Sequence, residues 1–207
     1  MQLYFSPLAC SMATRIALYE AGGQAGFVEV DPKTKRTSDG VDFKTIHPLG
    51  LVPTLRTDAG EVLTENAAIL QYVARQFPAL DDGVDPTRLQ QWLCFIGTEL
   101  HKGLFAPLLD PKAPEAVKAY VLAKGTSRLA YLSSHLANRD YLLDRFTVAD
   151  AYLVTVLNWT RAVPIALADW PVLDAYSARV RARPSVARAL QEETALYMAE
   201  LARHKTA

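Results

Sequence analysis

The sequence predicts an α+β protein of two domains, and three observations carry that expectation. Over residues 1–78 short apolar runs alternate with turn signals, and from residue 88 to 207 apolar residues recur at helical spacing. Between them, residues 79–87 are rich in Asp, Gly and Pro and carry no periodicity, as a linker does. A chain of 207 residues, 50% hydrophobic and 21% charged, can bury two such cores without disulfides or metals, and its composition excludes a largely disordered protein.

In the first domain, Gln2 to Phe5 is β-prone and ends at Ser6-Pro7, and Ser11 to Ala21 holds helix formers that stop at Gly22-Gly23. Phe27 to Val30 reads as a second strand, parallel to the first through a right-handed crossover. Asp31 to Gly40 has no apolar face and reads as a loop leading to a short irregular helix. Leu51 to Thr57 and Glu61 to Leu63 flank Asp58-Ala59-Gly60 and predict an antiparallel hairpin. After Thr64-Glu65-Asn66, the apolar residues Ile69, Leu70, Val73 and Phe77 keep helical spacing until Pro78. The order βαβ-α-ββα is that of a thioredoxin-like domain.

The second domain reads as all-helical. Leu89, Trp92, Leu93, Ile96 and Leu100 make an apolar stripe, while Gln91, Cys94, Thr98 and His101 make a polar stripe on another side of the same helix. Ala113 to Leu136 is a second long helix, and Thr147 to Val163, apolar on most sides, suits the centre of a bundle. Thr147-Val148-Ala149-Asp150 has the form of a capping box and is assigned to folding. Pro171 and Pro184 start two shorter helices, and Arg203 to Ala207 are expected to fray. His47 and His135 are expected on the surface.

With 22 basic and 22 acidic residues the formal charge is zero, so no whole-protein field draws nucleic acid or anionic membrane. Two cysteines and four histidines show neither a disulfide framework nor zinc spacing, and they fit a reducing cytoplasm. A start without a basic region ahead of a long apolar stretch gives no expectation of a signal peptide, and no run is long enough for a membrane span.

Cys10 stands where a loop meets the first helix, so it is either a thiol activated by free N–H groups and the helix dipole or a small buried residue. Val52-Pro53 either is cis, turning the Val52 backbone toward a peptide, or is an ordinary trans bond at a strand start. Glu65 and Asn66 at a helix start either cap it or bind an α-amino acid group. Lys33, Lys35 and Arg36 read as a basic loop, by itself a solvated run of charge.

Taken together, LYFSPLACS, GLVPTL, LTENAAILQYVA, WLCFIGTELHKG and FTVADAYL resemble a cytosolic glutathione S-transferase, the bacterial beta class in particular, in family order over essentially the full chain. The resemblance implies a thioredoxin-like domain that binds glutathione, a helical domain that completes a pocket for a small hydrophobic electrophile, and a homodimer. It also implies glutathione as co-substrate with no metal or organic cofactor, no nucleic acid or membrane partner, and a cytoplasmic location.

By that likeness Cys10 faces the glutathione sulfur, with Ser11 and His101 as helpers in activating it. Val52, before a cis Pro53, pairs with the cysteinyl backbone, and Lys35 approaches the glycine end. Glu65 and Asn66 hold the γ-glutamyl group with Thr98 and Glu99 of the second subunit, and His101 and Lys102 lie on the sulfur side. The implied reaction is conjugation of glutathione to the electrophile. The alternatives are thiol-disulfide exchange through Cys10 and noncatalytic binding of hydrophobic ligands. Three positions depart from the family pattern: Cys94 in place of asparagine, Asn66 in place of serine or glycine, and Phe5 in place of tyrosine.

Overall fold

The structure, a computed structural model, describes residues 1–206. Strands β1 (Gln2–Phe5), β2 (Gly26–Glu29), β3 (Thr54–Arg56) and β4 (Val62–Leu63) form one sheet in the order β2-β1-β3-β4. Helix α1 (Met12–Glu20) makes the crossover that sets β1 parallel to β2, with Leu3 opposite Phe27. Strand β3 runs antiparallel to β1, Tyr4 opposite Thr54, and turns onto β4 through Gly60, whose φ of +85° suits glycine. The hairpin strands are shorter than the expected Leu51–Thr57 and Glu61–Leu63, since Pro53 has no N–H to give the ladder. The irregular helix expected after the basic loop is a single 3-10 turn, Phe43–Thr45.

Helix α2 (Asn66–Gln76) buries Ile69, Leu70 and Val73, as its spacing predicts. The segment expected to be a plain linker holds a one-turn helix, α3 (Pro78–Asp81), because Leu80 docks in the core at 1% exposure. Helix α4 (Pro86–Phe95) is capped by Asp85, which accepts from the Thr87 and Arg88 N–H groups. It then widens into a π-helical stretch, Ile96–Phe105, before α5 (Ala106–Leu109). Gly103 lets this wide turn close, for a Cβ there would sit 2.7 Å from the Thr98 carbonyl oxygen.

Helix α6 (Glu115–Leu136) crosses the π stretch where Gly125 meets Leu104. Helix α7 (Val148–Asn158) is buried from Val148 through Leu157, and its capping box is formed with Asp150 in the closing position. A 3-10 turn, Trp159–Ala162, follows, then α8 (Pro171–Arg181) and α9 (Pro184–Thr206).

Several expectations need correction here. Helix α9 is long rather than short, with 23 residues, and it is held to its end: Arg203 pairs with Glu29, and His204 Nε2 lies 2.7 Å from Asp31 Oδ2. These carboxylates at the end of β2 match the basic last turn of α9, so Arg203 and His204 do not fray. His47 is buried against Phe43 rather than exposed, while His135 is half-buried against Trp92. Helix α1 packs on both α7 and α9, which joins the two domains through one apolar core. Among the described residues no helix is long and apolar enough to cross a membrane.

Candidate functional site

A cavity of about 700 Å³ lies between the loop after β1, the segment Gly50–Val52 before β3, the π-helical stretch and the 3-10 turn after α7. It collects five of the predicted site residues in its lining: Cys10, Lys35, Val52, His101 and Lys102.

Cys10 lies just ahead of α1, whose N-cap residue is Ser11. Its thiol is 3.4 Å from the Val52 carbonyl oxygen, to which it donates. Helix position predicts a depressed pKa, but burial wins: desolvation pushes the thiol up to about 11, opposed by the Lys102 charge and by nearby backbone N–H groups. Cys10 is therefore a protonated donor in the unliganded protein, not a ready thiolate. The Ser11 hydroxyl does not reach the cavity. It is fully buried, accepts from Ser6 N–H at 3.3 Å and donates to Ser6 C=O at 3.2 Å, so it shapes the loop rather than the chemistry.

The same loop is clamped from the helical domain at Leu8, which has a φ of +59°. Leu8 N–H donates to Glu193 Oε2 at 2.7 Å, and Leu8 C=O accepts from the Trp159 indole at 2.8 Å. Glu193 is fully buried and pairs with Arg15 Nε at 2.8 Å. The Arg15 guanidinium lies 4.3 Å from the Phe5 ring centroid and 4.0 Å from that of Phe27. Phe5, a departure from the family pattern in sequence, thus serves a buried cation. Nothing in the sequence marks Trp159 or Glu193, because they meet Leu8 only across 151 and 185 residues.

The Val52-Pro53 bond is cis. The Val52 carbonyl takes the Cys10 thiol, and the Val52 N–H finds no partner among the described residues, so this edge can receive an extended peptide. Gly50, with φ +62°, presents bare backbone to the Lys35 side chain, whose Cδ would be 3.4 Å from a Cβ there. Lys35 itself has φ +57° and is half-buried.

His101 and Lys102 come from the π stretch. His101 Nδ1 is 2.6 Å from Tyr152 OH, and its ring stands edge-on to Trp159. Burial, helped by the neighbouring Lys102 charge, lowers His101 to about 4, and burial raises Tyr152, so a neutral imidazole faces a protonated phenol. Tyr152 belongs to the FTVADAYL segment but has no role assigned from the sequence. Its spacing marks only a core position.

The remaining predicted residues stand apart. Glu65 has φ +66° and is exposed ahead of α2, close enough for its charge to bear on Cys10 and Tyr152. Asn66 is 7% exposed, and its amide makes no hydrogen bond of good geometry, though it lies near enough to the Tyr152 hydroxyl to oppose the effect of burial there. Pro53 is buried beside Val52. Thr98 is exposed, its hydroxyl bonded to Cys94 C=O at 2.9 Å, and Glu99 is paired with Arg128 at 2.9 Å; neither lines the cavity of its own chain. Among the described residues no group of His, Cys, Asp and Glu could hold a metal ion.

The family model for the N-terminal domain of glutathione S-transferases matches residues 1–75, and that for the C-terminal domain matches residues 89–184. Glutathione S-transferase GstA of Escherichia coli O157:H7 is 40% identical over 199 residues, which cover 93% of this chain and 98% of that one. Among solved structures, the ternary complex of BphK, a bacterial GST, superposes with a TM-score of 0.89 at 42% identity over 94% of this chain and all of that one. The beta-class enzyme of Sphingomonas chungbukensis gives 0.87 at 40% identity, covering 93% and 98%. With both family models matched in order and a cysteine-bearing loop beside a cis-proline edge, the chain belongs to the glutathione S-transferase family and groups with its beta class.

Proposed function

We propose that the cavity beside Cys10 joins the sulfur of glutathione to an electrophilic carbon of a small hydrophobic compound. The observation that carries this is one cavity holding both an unpaired peptide edge at Val52 and an apolar helical-domain wall around Trp159. The edge suits the cysteinyl backbone of glutathione, and Lys35 suits its glycine carboxylate. In the reaction the thiolate electron pair forms the C–S bond while the leaving group departs with the pair of the bond that breaks.

Holding both reactants in one cavity supplies proximity, and the Lys102 charge with the Cys10 thiol and the His101 ring favours the thiolate over the thiol. In this reading protonated Tyr152 donates to His101 Nδ1, which leaves Nε2–H as a donor, so that His101 stabilises the sulfur anion and is not a base. The raised pKa of Cys10 disfavours thiol exchange as the main activity. Turnover of 1-chloro-2,4-dinitrobenzene with glutathione tests the reading, and binding of both compounds without chloride release would replace it with passive ligand binding.

The working unit in this reading is a homodimer. The exposed stripe Gln91, Cys94 and Thr98 supports it, as does the Asn66 amide, which makes no hydrogen bond of good geometry and with Glu65 would take the γ-glutamyl group opposite Thr98 and Glu99 of a second copy. Sedimentation should give a dimer, and Glu99→Ala should weaken glutathione binding by about 1–3 kcal/mol, the scale of a charged hydrogen bond. A monomer with full affinity would end the two-chain model.

A further inference from the structure

The cavity wall is one-sided in charge. The cations Lys35, Lys102, Arg161 and Arg181 line it beside the neutral His101, and among the described residues no aspartate or glutamate does. Lys35 is accounted for by glutathione, and His101 and Lys102 by the sulfur. Arg161, in the turn Trp159–Ala162, and Arg181, the last residue of α8, are left over.

Among the described residues neither arginine forms an ion pair with a carboxylate. Asp174 shares an adjoining groove with both and pairs with neither. The one side-chain bond of Arg181 is from Nη1 to the neutral Asn158 Oδ1 at 3.0 Å, which steers the guanidinium without neutralising it. Partial burial, together with the nearby Arg161 charge, holds Arg181 below the usual guanidinium range. Arg161 is exposed and Arg181 half-buried; two like charges close enough to bear on each other repel, and a shared anion turns that repulsion into attraction. Guanidinium groups match carboxylate, sulfonate and phosphate oxygens through paired N–H donors. The helical-domain wall around them is apolar, formed by Ala106, Leu109, Trp159 and Leu190.

We propose that Arg161 and Arg181 bind an acidic group on the electrophile, so that the substrates of this chain are hydrophobic organic acids bearing an electrophilic carbon. The proposal rests on the reading of the cavity as a site of glutathione conjugation, and it names the substrate class. The acidic group takes no part in bond making: sulfur adds to the ring or chain carbon, the leaving group departs as an anion, and the carboxylate keeps its charge and its arginine partners.

A matched pair of probes separates charge from reactivity: 4-chloro-3,5-dinitrobenzoate and its methyl ester, each losing chloride to glutathione. The quantity to measure is the acid-over-ester ratio of kcat/KM in the wild-type protein and in Arg161→Gln, Arg181→Gln, the double variant and Arg181→Lys. Because the ring chemistry of each probe is the same in every protein, the change in ratio reads the arginines alone. The ratio should fall at least tenfold in the double variant, recover in part with Arg181→Lys, and fall with rising ionic strength in the wild-type protein, which needs no variant to fold. A ratio within twofold of wild type in the variants and flat with salt overturns the proposal.

Calorimetric Kd values of the two glutathione S-conjugates give the same ratio without turnover. An arginine-dependent ratio in binding with no chloride release from either probe would sustain the anion site and sink the conjugation reading. Turnover with an unmoved ratio would do the reverse.

Discussion

Replacing Glu193 with Ala tests how the helical domain sets the loop that carries Cys10. In the native protein the Glu193 carboxylate is fully buried and takes two donors, Arg15 Nε at 2.8 Å and Leu8 N–H at 2.7 Å. The substitution leaves a guanidinium that is 4% exposed and held only through Nη1, by the Glu192 carboxylate at 3.3 Å and the Tyr19 hydroxyl at 3.1 Å, with Nη2 lacking an acceptor and a Leu8 N–H with nowhere to donate. Removing one partner of a buried ion pair costs about 3–5 kcal/mol, because the surviving charge stays desolvated, and the remaining contact with the more exposed Glu192 sets this case toward the lower end. For a domain of this size each kcal/mol moves Tm by about 2–4 °C, so Glu193→Ala should melt about 6–20 °C below wild type. The double variant Arg15→Met with Glu193→Leu should recover much of that loss, since no charge is left unpaired. At 20 °C, where the single variant is still folded, freeing Leu8 should also lower kcat/KM by about 10–100-fold through displacement of the Cys10 loop. Calorimetry and steady-state kinetics on the single, partner and double variants form the cycle. A shift under 2 °C for Glu193→Ala, or a double variant costing the sum of the two singles, would refute the clamp.

Three further outcomes follow from the same geometry. In a Cys94→Ala background, alkylation of Cys10 by iodoacetamide should still be climbing at pH 10, in keeping with a thiol pushed up to about 11; a plateau with a midpoint below 8.5 would contradict burial as the dominant cause. His101 is lowered from 6.5 to about 4, so the unfolded chain binds its proton first, and the stability that the neutral ring contributes is whole above pH 6.5 and lost as pH falls toward 4. The difference in urea-unfolding free energy between wild type and His101→Gln should therefore shrink by about 3 kcal/mol over that window, and a constant difference would count against the assignment. Gly103→Ala places a Cβ 2.7 Å from the Thr98 carbonyl oxygen and should cost about 1–3 kcal/mol of stability while raising the KM for glutathione by shifting His101 and Lys102. A neutral substitution would show that the π turn has room to spare.

What the sequence reveals and hides follows from the range of the interactions involved. The crossover of β1, α1 and β2, the hairpin at Gly60 and the capping box at Thr147 are written in neighbouring residues, and they are found where the periodicity and turn chemistry place them. The residues around Pro53 leave cis and trans open, and only the family resemblance points to the cis bond that is found. The acidity of Cys10 is not local, because helix position argues for a low pKa while the packing of Val52 and the helical domain around the thiol raises it. Ser11 shows the same limit: adjacent to Cys10 in sequence, its hydroxyl turns to Ser6 instead. The π stretch leaves only a faint trace, a glycine at 103 where a widened turn needs bare backbone, and helical spacing alone reads it as ordinary helix.

Glu193 and Trp159 leave no trace, since their partner in the loop is reached only when α9 and the turn after α7 close over the sheet domain. The division has a functional sense. The sheet-domain side of the cavity, proposed to take glutathione, is built from short segments with recognisable chemistry, whereas the helical-domain side, proposed to take the electrophile, includes single residues of the turn after α7, of α8 and of α9. Side chains such as Arg161 and Arg181 can change there without disturbing a cap, a turn or the cis-proline edge. On the proposed reading, one glutathione site can therefore serve many electrophiles, and the charge of this wall, rather than the motif around Cys10, would set which of them this chain accepts.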